Sequence, residues 1–166
     1  MKIYLIGMPG SGKTTLGRKL AKELLTEFLD LDKEIEKSEG RSVQEIFAEQ
    51  GEDYFRQIES RVLRDWSASG ESFIMATGGG TPCFYNGIEI INQTGMSIFL
   101  DTPVAVLISR LEKKTDRPLL QSTDKKDKEE KLQTLRKNRL QFYRQANVIV
   151  ENPDLPKLMT AIHLKK

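Results

Sequence analysis

Short apolar runs alternate along the whole chain with stretches in which apolar residues return every three or four positions. That alternation is the pattern of an α/β domain with a mainly parallel sheet. Lys2 to Ile6 forms the first predicted strand, and Leu16, Leu20 and Leu24 then set one apolar stripe on a helix starting near Thr14. Glu27 to Leu31 is the second strand. Ser42 and Glu45 have capping-box spacing, and Phe55, Ile58, Val62 and Trp66 mark the core face of a longer helix, so helices occupy roughly 33–68. Phe73 to Ala76 is a third strand and runs into Thr77, Gly78, Gly79 and Gly80, where backbone can approach a ligand closely. Ser97 to Leu100 is a fourth strand, followed by Pro103 in the first turn of a helix bearing Val104, Leu107, Ile108 and Leu111. A helix carrying Leu132, Leu135, Phe142 and Tyr143, a strand at Val148 to Val150 and a helix with Leu155, Leu158 and Ile162 complete the pattern. Between Lys113 and Lys131 the apolar period lapses, interrupted only by Arg117 to Leu120, and this stretch is expected to be a mobile lid.

These elements fit one domain spanning residues 1–166, with about five parallel strands flanked by helices in three layers. Composition narrows the function. With 38% hydrophobic and 30% charged residues the chain is ordinary for a soluble globular protein. A net charge of +2 gives no ground for nucleic-acid or membrane binding. The lone cysteine, Cys83, excludes an intrachain disulfide and suits a reducing compartment. Ile3 to Ile6 is too short for a secretory leader, and no stretch approaches the ~18 apolar residues of a membrane span. The expected location is the cytoplasm.

Gly7 to Thr14 reads GMPGSGKT, a full Walker A pattern set between a strand and a helix. Its glycines let backbone N–H groups turn inward around phosphates, and the helix N-terminus adds the positive end of its dipole. Gly10, Ser11, Gly12, Lys13, Thr14 and Thr15 are therefore the expected ATP contacts, with Lys13 reaching the β- and γ-phosphates and the Thr14 hydroxyl ligating Mg²⁺. The plain alternative is a glycine turn before a helix.

Asp30 and Asp32, two apart at the end of the second strand, are expected to project from one face at the carboxyl edge of the sheet, where ligands gather in open α/β folds. One could orient an attacking hydroxyl and the other hold water on Mg²⁺, or both could simply cap the next helix. Arg56, in GEDYFRQIE, and Arg139 are two planar forks able to meet around one small carboxylate, although Arg56 could equally pair with Glu52 or Glu59. Arg117 lies where a lid arginine could swing over a transferring phosphoryl group, and Arg110 could stack on adenine. Neither Cys83 nor the single histidine, His163, has a partner pattern that implies catalysis.

Taken together, these motifs resemble those of shikimate kinases, in family order and over nearly the whole chain. GMPGSGKTT is similar to the family phosphate loop, FLDLD (Phe28 to Asp32) to its aspartate motif, GEDYFRQIE to its arginine-bearing helix and ATGGG (Ala76 to Gly80) to its glycine motif. RPLL (Arg117 to Leu120) resembles the lid motif, and Arg139 with Tyr143 the late arginine and tyrosine pair. The chain departs from the family in a longer polar segment after RPLL and in lacking a proline between Arg139 and Tyr143. The resemblance implies a P-loop kinase fold and transfer of the γ-phosphoryl of MgATP to the 3-hydroxyl of shikimate. It implies shikimate contacts from Asp32, Arg56, Gly78, Gly79 and Arg139, phosphoryl-transfer assistance from Arg117, a water-mediated reach of Asp30 to Mg²⁺, and an adenine border near Asn152 and Pro153. A monomer is expected. The rival readings are a related P-loop kinase for another small acid or nucleotide, and a non-catalytic nucleotide-binding switch.

Overall fold

A computed structural model describes residues 1–113 and 124–165. Five strands, β1 (Lys2–Ile6), β2 (Glu27–Asp30), β3 (Phe73–Ala76), β4 (Met96–Asp101) and β5 (Val148–Glu151), form one sheet in the order β2-β3-β1-β4-β5. Every pairing is parallel. Central β1 is apolar on both faces, as a strand covered by helices on each side must be. Tyr4 and Ile6 pack on one side, and Ile3 and Leu5 on the other. The Ile3 side is closed by α1 (Lys13–Glu23) and α7 (Leu155–Lys165) through Leu20, Leu158 and Ile162. The Tyr4 side carries α2 (Leu31–Glu39), α3 (Val43–Ala68), α4 (Gly87–Thr94), α5 (Val104–Glu112) and α6 (Lys125–Tyr143), held by Ile35, Phe55, Ile91, Leu107 and Tyr143. The α/β three-layer expectation is met.

Four local features differ from the sequence reading. First, β2 stops at Asp30, whose side chain accepts the Asp32 N–H at 3.2 Å and caps α2. Asp32 therefore stands in the first turn of a helix and not on the strand face expected for it. The local Asx hydrogen bond offers the chain a helix start two residues before the anticipated one. Second, α4 was not anticipated, because its eight residues show only a brief apolar pattern, with Ile88 and Ile91 buried. Third, the Ser42 and Glu45 capping box is present at the start of α3, but the helix bends at Gly51, where φ is 82° and ψ is 176°. Fourth, α6 begins at Lys125 behind an Asp124 cap, so residues 125–131, expected to belong to the lid, are its opening turns. Their charged composition hides the helix from a search for apolar periodicity, since among them pairs such as Lys131 and Asp127 face outward. The RPLL motif, with Arg117, lies outside the described residues. Among the described residues no helix is long and apolar enough to cross a membrane.

Candidate active site

Because all five strands run the same way, their carboxyl ends share one edge, and the turns leaving that edge build a single cleft. The first is the phosphate loop between β1 and α1. Gly10 and Gly12 take φ values of 82° and 100°, a left-handed conformation that side-chain-bearing residues rarely adopt. Gly12 caps α1 with no side chain over the helix end, so the first N–H groups of the helix are left for an anion. The loop is braced from behind: the buried Thr102 hydroxyl donates to the Ser11 carbonyl at 3.0 Å. Lys13 folds over it, its Nζ donating to the carbonyls of Gly7 at 2.8 Å and Met8 at 2.9 Å. Arg110 reaches the same loop from α5 and donates to the Gly10 carbonyl at 3.0 Å. Asn152, with φ 46°, leaves the end of β5 and donates its N–H to the Asp101 carbonyl at 3.1 Å, with Pro153 next in the chain. These two positions sit at the end of the edge strand beside β4.

Beside the loop, Thr14 Oγ1 donates to Asp30 Oδ2 at 3.1 Å, which brings two hard oxygen ligands together at the start of α1. No cluster of three or more acidic, histidine or cysteine side chains able to hold a metal occurs among the described residues. A Mg²⁺ that keeps several waters and takes phosphate oxygens needs only one or two protein ligands, so the Thr14 and Asp30 pair fits that ion.

The glycine run after β3 forms the facing side of the cleft. Thr77 anchors it by donating its hydroxyl to the Leu5 carbonyl at 3.0 Å. A methyl group added to Gly78 would lie 2.8 Å from Glu59 Oε2 and 3.7 Å from Asp32 Oδ1. At Gly79 it would lie 2.7 Å from Arg139 Nη1 and 3.0 Å from Pro9 of the phosphate loop, and at Gly80 2.5 Å from Arg56 Nη2. Three bare α-carbons thus make room for Glu59, Arg139 and Arg56 at once, with Asp32 at ordinary contact distance from Gly78, beside the phosphate loop. Tyr143 fixes the far side, its buried hydroxyl donating to the Gly79 carbonyl at 2.6 Å, one turn of α6 beyond Arg139.

Charge is concentrated here. Burial first, then the neighbouring carboxylates of Asp30 and Glu59, push the Asp32 carboxyl from 3.8 up to about 6, against the opposing pull of Lys13. Arg56 is 8% exposed and donates through Nη1 to Glu59 at 2.8 Å. Its guanidinium also lies 4.4 Å from the centre of the Phe84 ring. The ion-pair alternative for Arg56 is therefore realised with both Glu52 and Glu59, without removing Arg56 from the cleft. Arg139 Nη1 is buried and meets no hydrogen-bond acceptor among the described residues, a costly state for a guanidinium. Burial raises the Cys83 thiol to about 11, which keeps it protonated and unreactive. His163 lies exposed on α7, where its Nδ1 is 2.7 Å from the Met159 carbonyl.

Sequence reasoning gave no role of its own to Glu59, Thr102 or Phe84. Glu59 had a usable signal, an acid one turn from Arg56 on a face lined by Phe55, Ile58 and Val62. Thr102 and Phe84 had none, since their partners are distant in sequence or set by loop geometry.

A strand, a Walker A turn and a helix, with acids and arginines gathered on a facing glycine run, define a P-loop phosphotransferase. The family model for shikimate kinase matches residues 9–163. A shikimate kinase of Bacteroides fragilis is 45% identical over 153 residues, covering 90% of this chain and 83% of that one. The solved shikimate kinase of Bacteroides thetaiotaomicron superposes with a TM-score of 0.88 at 34% identity, covering 99% of this chain and 96% of that one. That of Acinetobacter baumannii, solved in complex with shikimate, gives 0.86 at 37% identity, covering 99% and 90%. The chain belongs to the shikimate kinase family and is an ATP-dependent phosphotransferase of that activity.

Proposed function

We propose that the chain transfers the γ-phosphoryl of ATP to the 3-hydroxyl of shikimate, yielding 3-phosphoshikimate and ADP for aromatic amino-acid biosynthesis through chorismate. The observation that carries the assignment is the buried Nη1 of Arg139, which has no hydrogen-bond partner among the described residues and faces the same glycine run as Arg56 and Asp32. Two guanidinium groups take the acceptor carboxylate, Asp32 takes ring hydroxyls, and the N–H groups of Gly78 and Gly79 line the floor. The solved relative from Acinetobacter baumannii, whose complex contains shikimate, supports the choice of acceptor.

Phosphoryl transfer of this kind needs positioning and charge neutralisation more than covalent help. Lys13, Ser11 and the N–H groups of Gly10, Gly12, Thr14 and Thr15 hold the phosphates, and Arg117 of the lid motif adds a cation over the group in transit. Arg110, Asn152 and Pro153 border the nucleotide. Asp32, ionised above pH ~6, orients the 3-hydroxyl and accepts its proton as the P–O bond forms. Thr14 directly and Asp30 through water would hold Mg²⁺, which supplies neutralisation of the β- and γ-phosphates when bound. Action as a monomer in the cytoplasm is part of this reading, and the lone thiol is compatible with a reducing compartment.

The test is acceptor-dependent ADP release across shikimate, quinate, gluconate and nucleoside monophosphates. Shikimate is expected to lead. A nucleotide or sugar acid outperforming it would replace this reading with a related P-loop kinase, and no acceptor-dependent ADP at all would favour a non-catalytic switch.

A further inference from the structure

Arg56 contacts two carboxylates, and they are held very differently. Glu59 is 2% exposed, and both of its oxygens are engaged: Oε1 accepts from Arg56 Nη1 at 2.8 Å and Oε2 from the Thr81 hydroxyl at 2.7 Å. It is a fixed counter-ion. The Glu52 side chain is 60% exposed, and one oxygen is shared between Arg56 Nε at 3.4 Å and Nη2 at 3.3 Å. Such contacts lie at the long limit of a hydrogen bond, and an exposed pair one helical turn apart is weak.

The remaining surroundings of the guanidinium leave little room for a further anion. Phe84 lies 4.4 Å and Phe55 5.2 Å from it, centre to centre, and the space of the absent Gly80 side chain is taken up by the guanidinium itself. Nη1 is committed to Glu59. The edge formed by Nε and Nη2 is what remains for bidentate recognition of a carboxylate, and Glu52 sits on that edge.

We infer that Glu52 is an intramolecular stand-in for the acceptor carboxylate, occupying the Nε and Nη2 edge of Arg56 until shikimate displaces it into solvent. The inference rests on the reading of Arg56 as an acceptor-carboxylate fork. Exchange of one carboxylate for another keeps the charge around the buried arginine constant, so the cation keeps a full complement of partners before and after binding. Glu52 begins the helical segment after the Gly51 bend, so the displaced carboxylate remains near a helix N-terminus that favours it. The device makes acceptor affinity a difference between two carboxylates, and it discriminates against neutral analogues unable to eject Glu52.

The test is isothermal titration of the full-length protein with shikimate, with KM and kcat measured alongside, for Glu52→Gln and Glu52→Asp. Removing a competitor of this strength is expected to lower the shikimate Kd and KM by about two- to fivefold, with a smaller change in kcat. Glu52→Asp keeps the charge but withdraws the contact, so it is expected to tighten shikimate as Gln does. Unchanged or weaker binding in Glu52→Gln would overturn the inference and make Glu52 a support for Arg56. Tightening by Gln but not by Asp would overturn it as well, because the effect would then be a diffuse charge effect. Arg56→Ala separates the layers: if it leaves the Kd unchanged, the reading of Arg56 as the fork fails. If it weakens binding while Glu52→Gln does not tighten it, only the stand-in fails.

Discussion

Replacing Asp32 by asparagine should stabilise the ligand-free protein while removing its activity. Raising the carboxyl from 3.8 to about 6 costs the folded, ionised protein up to about 3 kcal/mol at neutral pH. The neutral amide has nearly the same shape and avoids this cost. In a chain of this length 3 kcal/mol corresponds to at most about 6–12 °C in Tm. The pH dependence has a definite sign. A carboxyl whose pKa rises on folding binds more protons in the folded state, so wild-type stability declines as pH climbs from about 4 to about 6 and the deficit is complete above that. The stability gap between Asp32→Asn and wild type is therefore expected to be largest at pH 7.5, to shrink through pH 6 and to vanish near pH 4. Calorimetric unfolding of both proteins without nucleotide, across pH 4–8, measures it, and the kcat/KM of the wild type for shikimate should fall as pH drops through about 6. A gap that is absent at pH 7.5, or that does not change with pH, would refute the argument that burial and neighbouring carboxylates strain Asp32. Near wild-type kcat in the variant would remove Asp32 from the chemistry.

Other perturbations test the surrounding framework. Arg56→Lys keeps the charge but loses the planar fork and its contact with Phe84, and shikimate binding is expected to weaken by about 2 kcal/mol or more in calorimetric titration while ATP binding is retained. Gly80→Ala fits the backbone, where φ is −89°, yet its methyl would fall 2.5 Å from Arg56 Nη2. Steady-state kinetics should show the shikimate KM raised at least tenfold, about 1.4 kcal/mol, with little change in the ATP KM. Thr102→Val removes the hydroxyl that braces the Ser11 carbonyl, for an expected loss of about 1 kcal/mol and 2–4 °C in Tm, accompanied by weaker ATP binding. The Cys83 thiol, raised to about 11, should be alkylated by iodoacetamide at pH 8 far more slowly than a free thiol, as followed by mass spectrometry.

The sequence by itself determined what depends on short-range order. The short continuous apolar run within Lys2 to Ile6 and the four-residue spacing of Leu16 and Leu20 are local signatures of a strand buried on both faces and of a helix period, and they made the α/β architecture legible. The phosphate loop was legible for the same reason: its chemistry is carried by backbone N–H groups whose directions follow from a contiguous glycine pattern. Where a competing local bond existed, as in the Asp30 cap that started α2 early, even a nearby boundary was misread. The turns of α6 before Leu132 were hidden because a solvated helix needs no apolar stripe there.

Only the tertiary structure decided how distant polar groups meet. Arg56, Asp32 and Arg139 converge because α3, the start of α2 and α6 all pack toward the glycine run at the carboxyl edge of the sheet. The elevated Asp32 carboxyl, the fixed Glu59 and the displaceable Glu52 follow from that packing. Burial and separation in space govern electrostatic energy, and neither is encoded in the spacing of residues along a chain.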